Sequence, residues 1–111
     1  MRPAVPQSIR VSVSNPAEIG ALEERFRQVP GVQVGREAEA PGPGELGGAV
    51  DVLTALASSG GLITLIRTIP GYLRARRSGL SVHTVIKGKP FTLTAENVDD
   101  VMPIIERLLD E

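Results

Sequence analysis

His83 is the single histidine of this 111-residue chain, which has no cysteine at all. An imidazole that works as a base or activates a nucleophile needs a Ser, Cys or carboxylate partner. None stands at a motif spacing from His83, so the residue reads as structural or solvated. The lack of cysteine excludes thiolate nucleophiles, disulfides and Cys-type zinc sites. Asp99-Asp100 is an adjacent carboxylate pair, but no second acid-rich loop completes a metal site. Two acids there fit the start of a helix better. The glycines of APGPGELGG (40–48) match neither GxxxxGK[ST] nor GxGxxG after a strand, so phosphate cradling has no support. The expectation is a chain with no catalytic, cofactor-binding or metal-ligating residues.

Charge is distributed more suggestively. Six basic residues and no acid lie between Arg67 and Lys89, whereas the segment from Pro90 onward holds six acids against Arg107. Arg74, Arg76 and Arg77 close a long apolar stretch. Arginines in a last helical turn complement the helix dipole, and the same cluster suits an acidic protein or anionic lipid. Nucleic acid is disfavoured as a partner. The net charge is −1, and Phe26, Tyr72 and Phe91 are the whole aromatic set, too few for base stacking.

The elements around these residues follow from periodicity. Ile9, Val11 and Val13 alternate with polar residues, as in a half-buried strand. Asn15-Pro16-Ala17-Glu18 is a helix start, and Ile19, Leu22, Phe26 and Val29 continue at helical spacing to the Pro30-Gly31 stop. Val32-Gln33-Val34 reads as a short second strand. Ser58-Ser59-Gly60-Gly61 reads as a joint between two helices, one from Glu45 to Ser58 and one from Leu62 to Arg77, with Pro70 kinking or dividing the second. Residues 80–87 and 90–95 alternate around a Lys87-Gly88-Lys89-Pro90 turn, which predicts a hairpin. A final amphipathic helix begins near Asp99 or Asp100, since Pro103 suits only a first turn. The expected fold is therefore α+β: one domain, a small mixed sheet of about four strands covered by helices, in the order β-α-β-α-α-β-β-α. Residues 1–7 are expected to form a tail and 38–44 a Pro/Gly-rich loop.

The uncharged run from 52 to 66 would span about 23 Å as a helix, short of a hydrocarbon core about 30 Å thick. It is not expected to cross a membrane. The N-terminus lacks the apolar h-region of a signal peptide, and the expected location is the cytoplasm. Leu62, Ile66, Ile69 and their neighbours point around more than one face of the second helix. Together with Arg67, Arg74, Arg76 and Arg77 they are the expected docking surface for another protein or a second copy. The alternative is a peripheral, anionic-membrane-binding or self-oligomerising module using the same 62–77 helix.

The stretch PGELGGAVDVLTALASSGGLITLIRTIPGYLRARRSGLSVHTVIKGKPFTLTAENV resembles the effector-associated constant component family of bacterial, mostly actinobacterial, conflict systems. The shared outline is the PGELG entry, an apolar helix, a Ser/Gly break, a second helix ending in L-R-x-R-R, and a hairpin rich in β-branched residues. Pro70 departs from it by making the second helix less regular. The resemblance covers about residues 8 to 110. It implies a small non-enzymatic adaptor or regulator encoded beside an effector, often a protease or caspase-like protein, and sometimes an NTPase. It transfers no catalytic residue.

Overall fold

A computed structural model of the protein describes residues 7–39, 50–76 and 79–110. Strand β1 (Gln7–Val13) carries the predicted alternation, with Ile9, Val11 and Val13 buried and Ser8 and Arg10 exposed. The Asn15 side chain accepts from the Ala17 amide at 3.1 Å and opens one turn of 3₁₀ helix, Pro16–Glu18, that runs into α1 (Ile19–Arg27). Strands β2 (Gln33–Glu39) and β3 (Val50–Ala57) follow. Then come helices α2 (Ser59–Ile66) and α3 (Ile69–Arg74), the hairpin of β4 (Val82–Ile86) and β5 (Lys89–Leu93), and α4 (Val98–Asp110).

The five strands form one sheet in the order β2-β3-β1-β4-β5, and every neighbouring pair is antiparallel. The first strand thus lies at the centre. Units β1-α1-β2 and β3-α2-α3-β4 interleave as two split β-α-β motifs, a ferredoxin-like arrangement to which β5 and α4 are added. One sheet face bears Val11, Leu53, Ala55, Val82, Ile86 and Leu93, which join Phe26, Leu62, Leu65, Tyr72, Ile105 and Leu109 of the helices in a single core. The other face, with Arg10, Thr54, Leu56, His83 and Val85, carries no helix of the described residues. Leu56 and Val85 remain 38% and 40% exposed there. The α+β class is as expected.

Several details differ from the expectation, each for a physical reason. Residues 50–57 form β3, not the end of a helix. Leu53, Ala55 and Ala57 point into the core while Val52 is also buried on the opposite face, so the alternation is masked by apolar residues on both sides. The sheet accordingly has five strands, antiparallel throughout rather than mixed, and the order is β-α-β-β-α-α-β-β-α. The Ser58–Gly61 joint connects a strand to a helix. Ser58 Oγ accepts from the Gly61 amide at 3.3 Å as an N-cap, and a Cβ on Gly61 would sit 3.0 Å from the Ala57 Cβ. Close approach, more than freedom of the backbone, calls for glycine at this position.

Pro70 divides the expected 62–77 helix: α2 ends at Ile66, and Pro70 lies in the first turn of α3. Helix α4 starts at Val98, earlier than expected, which leaves Pro103 inside it. A reciprocal cap explains the early start. The Thr94 amide donates to Asn97 Oδ1 at 2.8 Å and the Asn97 amide to Thr94 Oγ1 at 3.2 Å. Gln7, expected in a tail, opens β1, while Ala38 and Glu39, expected in a loop, pair with Asp51 and Val50. The rest of the 38–44 loop and residues 1–6 lie outside the described residues.

The hairpin is where the sequence predicts it, but its turn is Lys87-Gly88 alone, and Lys89 and Pro90 already pair with Ile86 and Val85 in β5. Lys87 and Gly88 both have positive φ, 52° and 80°, as a two-residue turn matching the strand twist requires. Pro90 falls on the outermost strand, where a missing N–H is tolerated.

Candidate functional site

The residues expected to form a docking surface separate into two sets. Leu62, Ile66 and Ile69 are fully buried, as are Tyr72 and Leu73, so their side chains are core and do not reach a partner. The surplus of apolar surface read from the sequence vanishes because α2 and α3 are separate short helices. Each turns its own stripe inward, against the sheet or against α4. The alternative of an apolar 62–77 helix lying on a membrane needs these same side chains outside, and they are inside. Among the described residues no helix is long and apolar enough to cross a membrane.

The arginines remain at the surface, but in company. Arg67 Nε donates to Glu106 Oε1 at 2.6 Å, and Arg74 Nη2 reaches both Asp99 oxygens at 2.6 and 2.7 Å. Arg76 pairs with Glu18. Helix α4 packs on α2 and brings the acidic C-terminal segment against the basic one. The contrast visible along the sequence is thus largely neutralised in the fold. Arg77 lies outside the described residues.

Arg76 belongs to a tighter cluster. Its guanidinium lies over the Tyr72 ring, 4.4 Å from the centroid, and the Arg25 guanidinium lies 5.7 Å from it. The Tyr72 hydroxyl donates to Glu18 Oε1 at 3.0 Å. Hydrogen bonds from Arg76 first, then Tyr72, hold the Glu18 carboxyl below the usual carboxylate range. Burial, followed by the hydrogen bond to Glu18, raises the Tyr72 phenol, and Glu18 raises Arg76. This arrangement fastens α3 to the start of α1. A second charged group lies near the β2 edge, where Arg36 donates to Asp51 Oδ2 at 2.7 Å and to Glu23 Oε1 at 3.4 Å. Arg27 is the main cause of the lowered Glu23 pKa.

His83 stands on the uncovered sheet face. Its Nε2 is 3.4 Å from Ser81 Oγ and its Nδ1 3.1 Å from Thr92 Oγ1. The ring therefore has hydroxyls on both nitrogens, and no carboxylate among the described residues orients it as a base. It borders a shallow depression of about 260 Å³ lined by Arg10, Val11, Ser12, Val52, His83 and Val85. Among the described residues, no group of three or more His, Asp or Glu side chains is placed to hold a metal ion. The sequence reading overlooked the Tyr72 cluster. Its signal was the one tyrosine standing four residues before Arg76 inside an apolar run.

No curated protein and no solved structure matches the chain. A family model does, described as Effector Associated Constant Component 1, and it aligns with residues 11–109. That span runs from the middle of β1 to the last turn of α4, so it takes in both split β-α-β units, the added hairpin and the final helix. The chain belongs to the Effector Associated Constant Component 1 family.

Proposed function

We propose that this chain is a non-catalytic adaptor that recruits or controls an effector protein of a bacterial conflict or immune system. Its expected partner is a protease or caspase-like protein encoded nearby, in some systems together with an NTPase. The setting is the cytoplasm. The observation that carries the proposal is membership, across residues 11–109, of a family named for association with effectors. The surroundings of His83 agree with it, since its imidazole lies between two hydroxyls on an open face with no orienting acid among the described residues.

The effector docks on the helical side, where Arg67 and Arg74 are exposed beside Glu106 and Asp99. Exposed pairs of this kind exchange readily for intermolecular ones, and they contribute more to orientation and association rate than to affinity. The test is co-purification of the chain with the effector encoded beside it, followed by assay of the effector's activity with and without the chain. A complex that changes effector activity, and that an Arg67→Glu/Arg74→Glu variant fails to form, is the expected result. Absence of a complex would refute the adaptor role. Unaltered binding by the folded variant would move the interface elsewhere.

A further inference from the structure

Helix α4 has two apolar stripes, one fully buried and one covered only in part, since Val101 and Leu108 pack against the rim of the core while Ile104 does not. Val98, Met102, Ile105 and Leu109 face the core. Val101, Ile104 and Leu108 recur at intervals of three and four along one flank. Val101 and Leu108 are half-buried, and Ile104, at 53%, is the most exposed large apolar residue among those described. At 100° per residue this flank lies about a quarter-turn from the core stripe. The opposite flank faces α2 and α3, since Glu106 reaches Arg67 at the end of α2 and Asp99 reaches Arg74 of α3 there. The Val101–Ile104–Leu108 flank therefore faces away from α2.

Charge identifies what covers this stripe. Asp100 and Arg107 stand seven residues apart on its solvent side, both exposed, and neither forms an ion pair within the described residues. Arg107 also borders the depression between α2 and α4. Spaced this way, the two charges are complementary to the same pair read in the opposite direction. Rotating a second α4 by a two-fold axis and laying it antiparallel sets Val101 and Ile104 against Ile104 and Val101 of the second copy. The same rotation places Asp100 opposite Arg107 of the second copy, and Arg107 opposite its Asp100. This is the flanking-charge pattern that selects an antiparallel helix pair, and a self-complementary patch is what a two-fold interface requires. A partner lacking the alternated charges would leave both groups unpaired.

We infer that the Val101–Ile104–Leu108 flank of α4 is a homodimer interface in which two copies pack antiparallel, with Asp100 and Arg107 setting the register. The inference is distinct from effector docking, which uses Arg67 and Arg74 on the α2 and α3 side of the helix; the two surfaces adjoin at Arg107, and sedimentation is measured on the chain without effector.

Sedimentation equilibrium of the full chain over a concentration series tests it, with circular dichroism confirming the fold of each variant. The wild type is expected to associate reversibly to a dimer. Ile104→Glu, at an exposed position, is expected to be folded and monomeric. Asp100→Arg or Arg107→Asp alone opposes like charges at two symmetric places and is expected to raise the dimer dissociation constant about tenfold. The Asp100→Arg/Arg107→Asp double variant restores complementarity and is expected to return to within about threefold of wild type. A wild type that stays monomeric throughout, a dimer indifferent to Ile104→Glu, or a double variant no better than the singles would each overturn the inference.

Discussion

Thr84 lies on the core face of β4, essentially inaccessible, and its hydroxyl has no hydrogen-bond partner. A buried hydroxyl left unpaired costs about 1–3 kcal/mol of desolvation, which an isosteric methyl avoids. Thr84→Val is expected to be neutral or to stabilise by up to about 1 kcal/mol in urea unfolding. Glu18 offers the contrary case of a polar group held by its partners. Its carboxyl is lowered in the fold by Arg76 and Tyr72, whereas in the unfolded chain it titrates near about 4.3. Between the two values the unfolded chain binds more protons, so the stabilisation is complete above about pH 4.3 and is lost as pH falls through the folded value. Acid unfolding of Glu18→Gln is expected to show a shallower dependence on pH below about 4.3 than the wild type. An identical slope would mean that the pair contributes nothing to folding.

At the scale of elements, local chemistry is most visible at the ends. The start of α4 depends on the Thr94–Asn97 exchange of hydrogen bonds, and Asn97 Nδ2 also donates to the Thr92 carbonyl at 2.9 Å, fastening helix to strand. Asn97→Ala is expected to cost about 1–2 kcal/mol in chemical denaturation, the upper range for a helix cap. The hairpin turn predicts the opposite sign. Lys87 holds φ at 52°, a region asparagine enters more easily, so Lys87→Asn is expected to raise Tm slightly. Such ends were legible in the sequence: Asn15-Pro16 and Lys87-Gly88 mark the boundaries found, and Pro30-Gly31 lies just past the end of α1 at Arg27. Strand β3 was not legible as a strand. Leu53, Ala55 and Ala57 give a weak inner face, Val52 is buried on the outer one, and Leu46, Leu53 and Leu56 simulate a helical stripe. The β-branched alternation of Val50, Val52 and Thr54 was the signal, outweighed by alanine's helical preference. The apolar part of the expected docking surface reads as exposed for a related reason: sequence shows that Leu62, Ile66 and Ile69 are apolar, but only tertiary packing shows how much core exists to receive them.

Across the whole molecule, the helices cover a single face of the sheet, and ion pairs bind α4 to α2 and α3 along the outside. Exposed pairs contribute little individually, about 0.2–1 kcal/mol, and salt screens them. A double-mutant cycle on Arg74→Ala and Asp99→Ala should give a coupling within that range that shrinks in high salt. A larger, salt-insensitive coupling would mark the pair as a structural element in its own right. The packing of α2 on α4, with Leu62, Leu65, Ile105 and Leu109 buried, supplies the main adhesion between the helices.

The central position of β1 has a consequence in time as well as in space. Gln7 must find Ala57, and Val13 must find Val82, before the strand has both its neighbours. During synthesis the first strand is made long before either partner, gains its β3 neighbour only after Ala57, and keeps its other edge unpaired until β4, residues 82–86, has followed. Closing such long loops costs entropy before any contact repays it, so refolding is expected in milliseconds to seconds, not microseconds. A nascent chain arrested between β3 and β4 would present β1 with one free edge, the kind of segment that holding chaperones capture.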